Sequence, residues 1–403
     1  MDIYKNGESR RRHCMIVHAY YPLGETRVQR EAEVLLRHNY KVDVVCLHKE
    51  GEPATDYFKG VRIYRLPVKR HRGAGLIVQF VEYLAFFFLA MFKVSLLHLQ
   101  QRYNTVQVHN LPDFLVFAAW MPKLLGAGVI LDLHDLMPEF YIGRHHRNSG
   151  SLLVHLVRLQ ERLSCRFAHH VITVSHQWRE VLIERGVVDE KVSVVMNVAD
   201  DAIFRPPANR RRQNRADGKL RLIYHGVVTQ RYGLDLVLCT MARLRRDAPD
   251  VHLTILGRGD QIETLMRLAD ELNLNNQVTF HWEIRPAEEL PEIILAADAG
   301  IVPYRNDHFT DGLIPTKLME YAALGLPAIA ARTTAISRYF DNTMVEFFMP
   351  GCVDDLARSI MRLYNDPARL AQLAQGIQKF NQGYNWTKIS AEYVALVERL
   401  NAR

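Results

Sequence analysis

Short runs rich in valine and isoleucine alternate with helix-patterned stretches along almost the whole chain. This alternation restricts the fold more than any other feature. In the first half the runs are CMIVHAY, KVDVVCLH, VRIYRLPV, TVQVHN, VILDLHD, HVITVS and KVSVVMN; in the second they are LRLIYHG, HLTILGRG, QVTFHW, AGIVPY and PAIAA. Between them lie stretches such as RVQREAEVLLRHN, PDFLVFAAWMPKLLG, LDLVLCTMARLRRDA and DQIETLMRLADELN. Near-continuous apolar strands belong in parallel sheets, because crossover helices cover both faces. The chain therefore reads as α/β. At 403 residues it is too long for one ordinary core, and two doubly wound domains of about 200 residues each are expected. Two such domains in tandem would leave a cleft at the carboxyl ends of their strands, where ligands of open α/β sheets bind.

The basic stretch PPANRRRQNRADGK, residues 206–219, separates the halves. Residues 1–205 carry a net charge of +6, this stretch +4 and the remainder −3. Such an excess suits nucleic acid or an anionic membrane surface. Nucleic acid is not the expected partner, because the arginines are not interleaved with aromatic residues. The five cysteines (Cys14, Cys46, Cys165, Cys239, Cys352) are scattered and form no CxxC pair. That argues against a disulfide framework or a zinc site and fits a reducing compartment. The opening MDIYKNGESRRRHCMIVHAYYPLGE lacks the apolar run of an export signal, so a cytoplasmic location is expected. Gly75 to Leu99, GLIVQFVEYLAFFFLAMFKVSLLHL, approaches membrane-span composition but is interrupted by Gln79, Glu82, Lys93 and His98. A span needs ~20 predominantly apolar residues. Two readings stand: an interfacial helix whose preceding KRHR, Lys69 to Arg72, meets anionic headgroups, or a helix packed in the core.

Three strand-to-loop junctions in the second half carry the candidate chemistry. In YHGVVTQRYGLD, Gly226 ends a strand and Gly233 opens a helix, with Arg231 between them. In TILGRGDQ, Gly257 and Gly259 permit close backbone approach, either to a ligand or simply in a tight turn. In FTDGLIPTKLMEYAALGLPAIAA, Pro315 suits the first turn of a short helix, while Gly325 and Pro327 stop it. Its start offers free amides from Thr316 onward, including Leu318, which suit a phosphate. Glu320, leaning back toward that start, could accept hydrogen bonds from a ribose diol. These junctions point to a nucleotide diphosphate held by amides, Arg231 and Lys317.

The order YHGVVTQRYGLDL, LTILGRGD, NNQVTFHW, AADAGIVPY and PTKLMEYAALGLPAIAA resembles the donor half of glycosyltransferase family 4. VVMNVADDAIFRP resembles the family's interdomain segment. YYPLGETRVQREAEVLLRHNYKVDVVCL, VQVHNLPDF and VILDLHDLMPEF resemble bacterial acceptor domains. The resemblance implies a GT-B fold of two Rossmann-like domains: an acceptor domain over residues 1–205, facing the membrane and including Gly24 in its first loop, a donor domain over 206–385, and a helix over 386–403 crossing back. It also implies retaining transfer from a nucleotide diphosphate sugar, UDP ahead of GDP, with no metal and no separate cofactor. Glu320 matches the second acid of the family's E-x7-E motif. Gly312 stands where the first belongs, with Asp311 adjacent as a possible replacement. Val227 and Tyr232 occupy the positions of the usual Arg and Lys, which leaves Arg231 and Lys317 as the cations. His134 matches the strand-end histidine that contacts the donor hexose, although a packed structural histidine is the competing reading. His109, Asp135 and Glu139 are candidates on the acceptor side.

In this reading, negative charge grows on the departing diphosphate and is met by helix-end amides with Arg231 and Lys317, while the acceptor hydroxyl is aligned with the anomeric carbon. No DxD pair ends a strand, and DLHD has the wrong spacing for one, so nothing here requires a metal. The expected acceptor is a lipid-linked saccharide of a surface polysaccharide, at the inner face of the cell membrane. Three rivals remain. A hydrolase would need two facing carboxylates; a nucleotide-sugar epimerase would need no lipid-facing helix; a non-catalytic subunit would suit the missing motif residues.

Overall fold

The computed structural model describes residues 11–22, 25–71, 75–145, 151–206 and 217–401. Gly24, Arg72 and most of the expected basic linker lie outside the described residues. The chain forms two units, one of Met1–Asn197 with Lys388–Arg403 and one of Val198–Thr387. The first stretch therefore ends at Asn197, short of residue 205. Beyond it, the Asp201 carboxylate accepts hydrogen bonds from the Thr387 amide (3.0 Å) and hydroxyl (3.1 Å), which ties that segment to the second unit.

The first unit is an eight-stranded sheet in the order β3-β4-β2-β1-β5-β6-β7-β8. Its strands are β1 (Arg12–Val17), β2 (Lys41–Leu47), β3 (Thr55–Phe58), β4 (Val61–Leu66), β5 (Thr105–His109), β6 (Gly128–Leu133), β7 (His170–Thr173) and β8 (Val192–Val194). All pair in parallel except edge strand β3, which runs antiparallel to β4. The short polar sequence of β3, TDYF, gave no strand signal. Five helices matter for the site: α1 (Thr26–Arg37), α2 (Leu76–Gln101), α3 (Trp120–Leu124), α4 (Met137–His145) and α5 (Leu152–Phe167). The expected helix PDFLVFAAWMPKLLG is instead a 3₁₀ stretch, Asp113–Ala119, running into α3. Pro122 sits in the first turn of α3, where its missing N–H leaves no intrahelical bond unmade.

Helix α2 has one apolar face buried and another exposed. Phe86, Ala90, Val94 and Leu97 are buried in the same core as Ile16, Val45 and Val108. Along the opposite side Ile77, Val81, Phe88, Phe92 and Leu99 are each more than half exposed. By length and composition, Ile77–Gln101 is apolar enough to cross a membrane, yet its packed face belongs to a domain core.

The second unit is a six-stranded, all-parallel sheet in the order β11-β10-β9-β12-β13-β14. The strands are β9 (Leu220–His225), β10 (Val251–Leu256), β11 (Val278–His281), β12 (Ala299–Val302), β13 (Ala328–Ala331) and β14 (Glu346–Phe348). The loops leaving β9 and β10 run against each other. The Gly226 amide donates to the Leu256 carbonyl (2.9 Å) and the Val228 amide to the Arg258 carbonyl (2.8 Å). A Cβ on Gly257 would stand 1.8 Å from the Gly226 oxygen, and one on Gly259 would stand 1.6 Å from the Val228 oxygen. The close approach at these two glycines is thus to the neighbouring loop, the tight-turn alternative of the sequence reading. Gly259→Ala is expected to lower stability by about 1–3 kcal/mol, the usual cost of forcing atoms into a packed site, measured as a fall in the urea midpoint at constant slope.

Candidate functional sites at the strand ends

In the first unit, the carboxyl ends of β5 and β6 place His109 and Asp132 in register, with His134 on the loop that follows. Asp132 is fully buried. Its Oδ2 accepts from Arg27 Nε (2.7 Å) and His109 Nδ1 (2.8 Å), and its Oδ1 from Arg27 Nη2 (3.0 Å). Arg27 also donates to the Val195 carbonyl (2.8 Å) and lies 3.2 Å from Glu31. Burial opposes charge on Asp132, but the Arg27 guanidinium and then His109 hold its carboxyl well below the ordinary range. The Asp132 bond assigns a proton to Nδ1 of His109 and leaves Nε2 for other partners. That Nε2 and Nδ1 of His134 are buried without a hydrogen-bond partner. Ligand-type atoms of His109, Asp132 and His134 lie within 4.8 Å of one another, a grouping that could hold a metal ion. Both Asp132 oxygens, however, already accept from Arg27.

Glu25, just ahead of α1, escaped the sequence reading. Its carboxyl pKa is raised by burial, against the opposing charges of His134, His109 and Arg70. The signal available was its place in the loop after β1, the strand neighbouring β5. Among the acceptor candidates, Asp135 is fixed through its carbonyl, which accepts from Asn110 Nδ2 (2.5 Å). Glu139 belongs to a different cluster: it pairs with Arg185, which also bonds Glu161 at 2.9 and 3.1 Å. Asp113 lies in the same acidic group, and burial together with Glu161 pushes its pKa up to about 8. A structural ion pair thus accounts for Glu139, where acceptor orientation was expected.

In the second unit, Gly226, Lys317 and Glu320 come together. The helix Thr316–Ala323 is preceded by Pro315, which stands at its cap and not inside its first turn. The Leu318 amide bonds the Pro315 carbonyl (3.0 Å). Among the described residues, the amides without an acceptor at this helix start are therefore those of Thr316 and Lys317. A Cβ on Gly226 would lie 3.6 Å from the Lys317 ammonium. That ammonium donates to Tyr304 Oη (3.1 Å) and sits 4.5, 4.9 and 5.0 Å from the ring centres of Tyr224, Tyr232 and Tyr304. Burial lowers the Lys317 pKa to about 7, against the opposing pull of Glu320. Arg231 lies over the Phe309 ring at 5.0 Å. Asp311 Oδ1 accepts from the Thr334 amide (2.8 Å), which supplies a structural reason for an acid beside Gly312.

His225 was also missed, although it precedes Gly226 directly. Its Nε2 is 2.5 Å from Glu320 Oε2 and its Nδ1 is 3.1 Å from Tyr321 Oη. Tyr321 Oη also lies 3.0 Å from the Ile223 carbonyl, to which it donates, so the ring, the carboxylate and the tyrosine form one connected group at this strand end.

Residues 24–197 match the glycosyl transferase 4-like domain, and residues 207–380 match glycosyl transferases group 1. With one model on each half, the chain belongs to the group 1, family-4-like glycosyltransferases, and its fold is GT-B: two Rossmann-like α/β domains. A putative colanic acid biosynthesis glycosyl transferase of Escherichia coli is 26% identical over 217 residues, 52% of each chain. A GDP-mannose-dependent phosphatidylinositol monomannoside mannosyltransferase of Mycolicibacterium smegmatis is 32% identical over 149 residues, 36% of this chain and 38% of that protein. The chain spans about half the length of the curated relatives it matches. Among solved structures, sucrose-phosphate synthase of Thermosynechococcus elongatus aligns at 19% identity with a TM-score of 0.77, over 98% of this chain and 100% of that one. Anabaena HepE in complex with UDP-glucose aligns at 16% identity and a TM-score of 0.72, over 96% and 99%.

Two outcomes follow from the buried charges. Arg27→Met leaves the Asp132 carboxylate buried without its cation and is expected to cost about 3–5 kcal/mol in chemical denaturation. For Lys317, the folded pKa of about 7 lies below that of an unfolded lysine, near 10.4. Between these values the unfolded state binds the extra proton, so the lysine's contribution to stability rises with pH. Wild type should gain about 1–3 kcal/mol relative to Lys317→Met between pH 7 and pH 9, read from urea midpoints at the two pH values.

Proposed function

We propose that the protein transfers a hexose-type sugar, with retention of anomeric configuration and without a metal, from a nucleotide diphosphate sugar to a lipid-linked saccharide in surface polysaccharide synthesis. The observation that carries the donor side is the convergence of Glu320, Lys317, Gly226 and the open amides of Thr316 and Lys317 at the strand ends of the second unit. A carboxylate within reach of a ribose and amides suited to a diphosphate form one chemistry. The UDP-glucose complex of a solved relative in fold supports a UDP-sugar ahead of a GDP-sugar. His134, Arg231 and Lys317 are the residues proposed to act at the reacting groups. The occupied carboxylate of Asp132 supports the metal-free reading, because its oxygens are held by Arg27 and His109.

The exposed apolar face of α2 supports work at a membrane surface, and the cytoplasmic face is the side on which nucleotide sugars are available to such an enzyme. Anionic lipid would meet Lys69 and Arg70, both exposed ahead of the helix.

Glu320→Ala is expected to weaken UDP-sugar binding at least tenfold by calorimetry while the thermal transition stays cooperative. Retained affinity would remove Glu320 from the donor site. Phe88→Glu with Phe92→Glu is expected to abolish co-sedimentation with anionic vesicles and leave UDP binding intact; undiminished sedimentation would refute the membrane-facing role of α2.

A further inference from the structure

An apolar cavity of about 540 Å³ opens in the first unit between α2, α4 and α5. Its inner end is formed by Leu111, just past His109, and Met137, just past His134; its outer end is formed by Ile77 and Phe80 on α2 and by Leu153 and Leu156 on α5. From there the surface remains apolar in both directions. Phe88 and Phe92 on α2 are 57% and 66% exposed, and Leu152 and Leu159 on α5 are 77% and 52% exposed. The cavity therefore runs from an exposed apolar face to the loops that follow the strand-end histidines.

Charge at the inner end is complementary to an anionic head group. Tyr83, which lines the cavity, meets the His18 ring edge-on at 4.9 Å. Arg70 acts electrostatically on His18, and on Glu25 together with His134 and His109. His18 is held neutral by burial, with its pKa lowered to about 3. Glu82, 3.2 Å from His18, accepts from the His71 amide at 2.7 Å. Arg70 makes no hydrogen bond or ion pair among the described residues. A cation thus stands near His18, whose ring partner Tyr83 lines the cavity.

We propose that this cavity holds the hydrocarbon chain of the acceptor lipid, with Arg70 at the lipid's phosphate. The inference rests on the transferase reading above and deepens its acceptor side: the lipid is a bound part of the substrate, beyond any contact of α2 with bulk bilayer. Each buried methylene contributes about fourfold in affinity. Because Leu111 and Met137, two and three residues past His109 and His134, line the cavity, the saccharide between phosphate and accepting hydroxyl is short. The reaction that supplies this substrate is then one that places a first sugar on a lipid phosphate.

The test uses the full-length protein in neutral vesicles with a diazirine-tagged polyprenyl phosphate, and a diazirine-tagged phosphatidylglycerol in parallel. Labelled peptides are identified by mass spectrometry, and UDP binding is measured on the same samples. The polyprenyl probe should label peptides containing Phe114, Met137 or Leu156. Met137→Trp and Gln160→Trp, which fill the cavity from two sides, should each cut that labelling at least tenfold while vesicle and UDP binding stay within twofold. Arg70→Gln should reduce labelling by the phosphate probe and leave a neutral polyprenol probe unaffected. Labelling confined to the outer faces of α2 and α5, equal labelling by phosphatidylglycerol, or insensitivity to both tryptophan variants would overturn the proposal. With UDP binding intact, those results reject the lipid cavity alone. Failure of the wild type to bind UDP or a UDP-sugar rejects the transferase reading and this inference with it.

Discussion

The buried pair of Arg27 and Asp132 is the interaction on which the first unit's strand ends depend. One guanidinium joins the start of α1, the end of β6 and the carbonyl of Val195. A buried ion pair adds little stability unless its remaining donors and acceptors are satisfied. Here each Asp132 oxygen has an N–H donor, and His109 takes its orientation from the same carboxylate. The network continues through Glu31 to Gln107 (2.7 Å) and from Gln107 to Tyr393 (2.6 Å) on the last helix, Trp386–Asn401. Hydrogen bonds thus hold that helix to the first sheet in addition to apolar packing.

The second unit solves the same problem differently. Its buried cation, Lys317, bonds no carboxylate among the described residues; three tyrosine rings and one hydroxyl surround it. Such an environment desolvates an ammonium without neutralising it, which is why its pKa falls. An approaching phosphate would favour the charged form, so anion binding and protonation at this position are linked by the same electrostatics. Glu320 is likewise held in advance, against His225. The two units therefore differ in kind: the first has its main charges paired internally, and the second keeps a cation whose charge depends on what comes near.

The alternation of apolar strands and helices was enough to anticipate both parallel sheets, because burial on two faces leaves an unmistakable composition. It was not enough for β3, whose polar alternation is that of an edge, or for β14, which is only three residues long. At the sites, local signals singled out Gly226 as the end of one strand and Lys317 with Glu320 as the start of one helix. His225 and Glu25 were missed because their meaning depends on neighbours distant in the chain: His225 meets Glu320 across 95 positions. Gly257 and Gly259 show the reverse. The need for glycine was legible, but only the neighbouring backbone revealed what approaches it.

Helix α2 shows why composition alone could not choose between a membrane span and a core helix. Little more than a quarter of its most apolar window is buried, yet what is buried includes Phe86, Ala90 and Val94 in the centre of the domain's core. Near its start, Glu82 accepts from the His71 amide and stands beside His18, a polar anchor that a hydrocarbon environment would leave without water. Crossing a bilayer would require stripping those contacts from the sheet. Remaining in place leaves an apolar stripe facing outward, of the kind soluble monomers rarely keep without a use. The inner face of α2 is therefore part of the fold, and its outer face is an exposed apolar stripe.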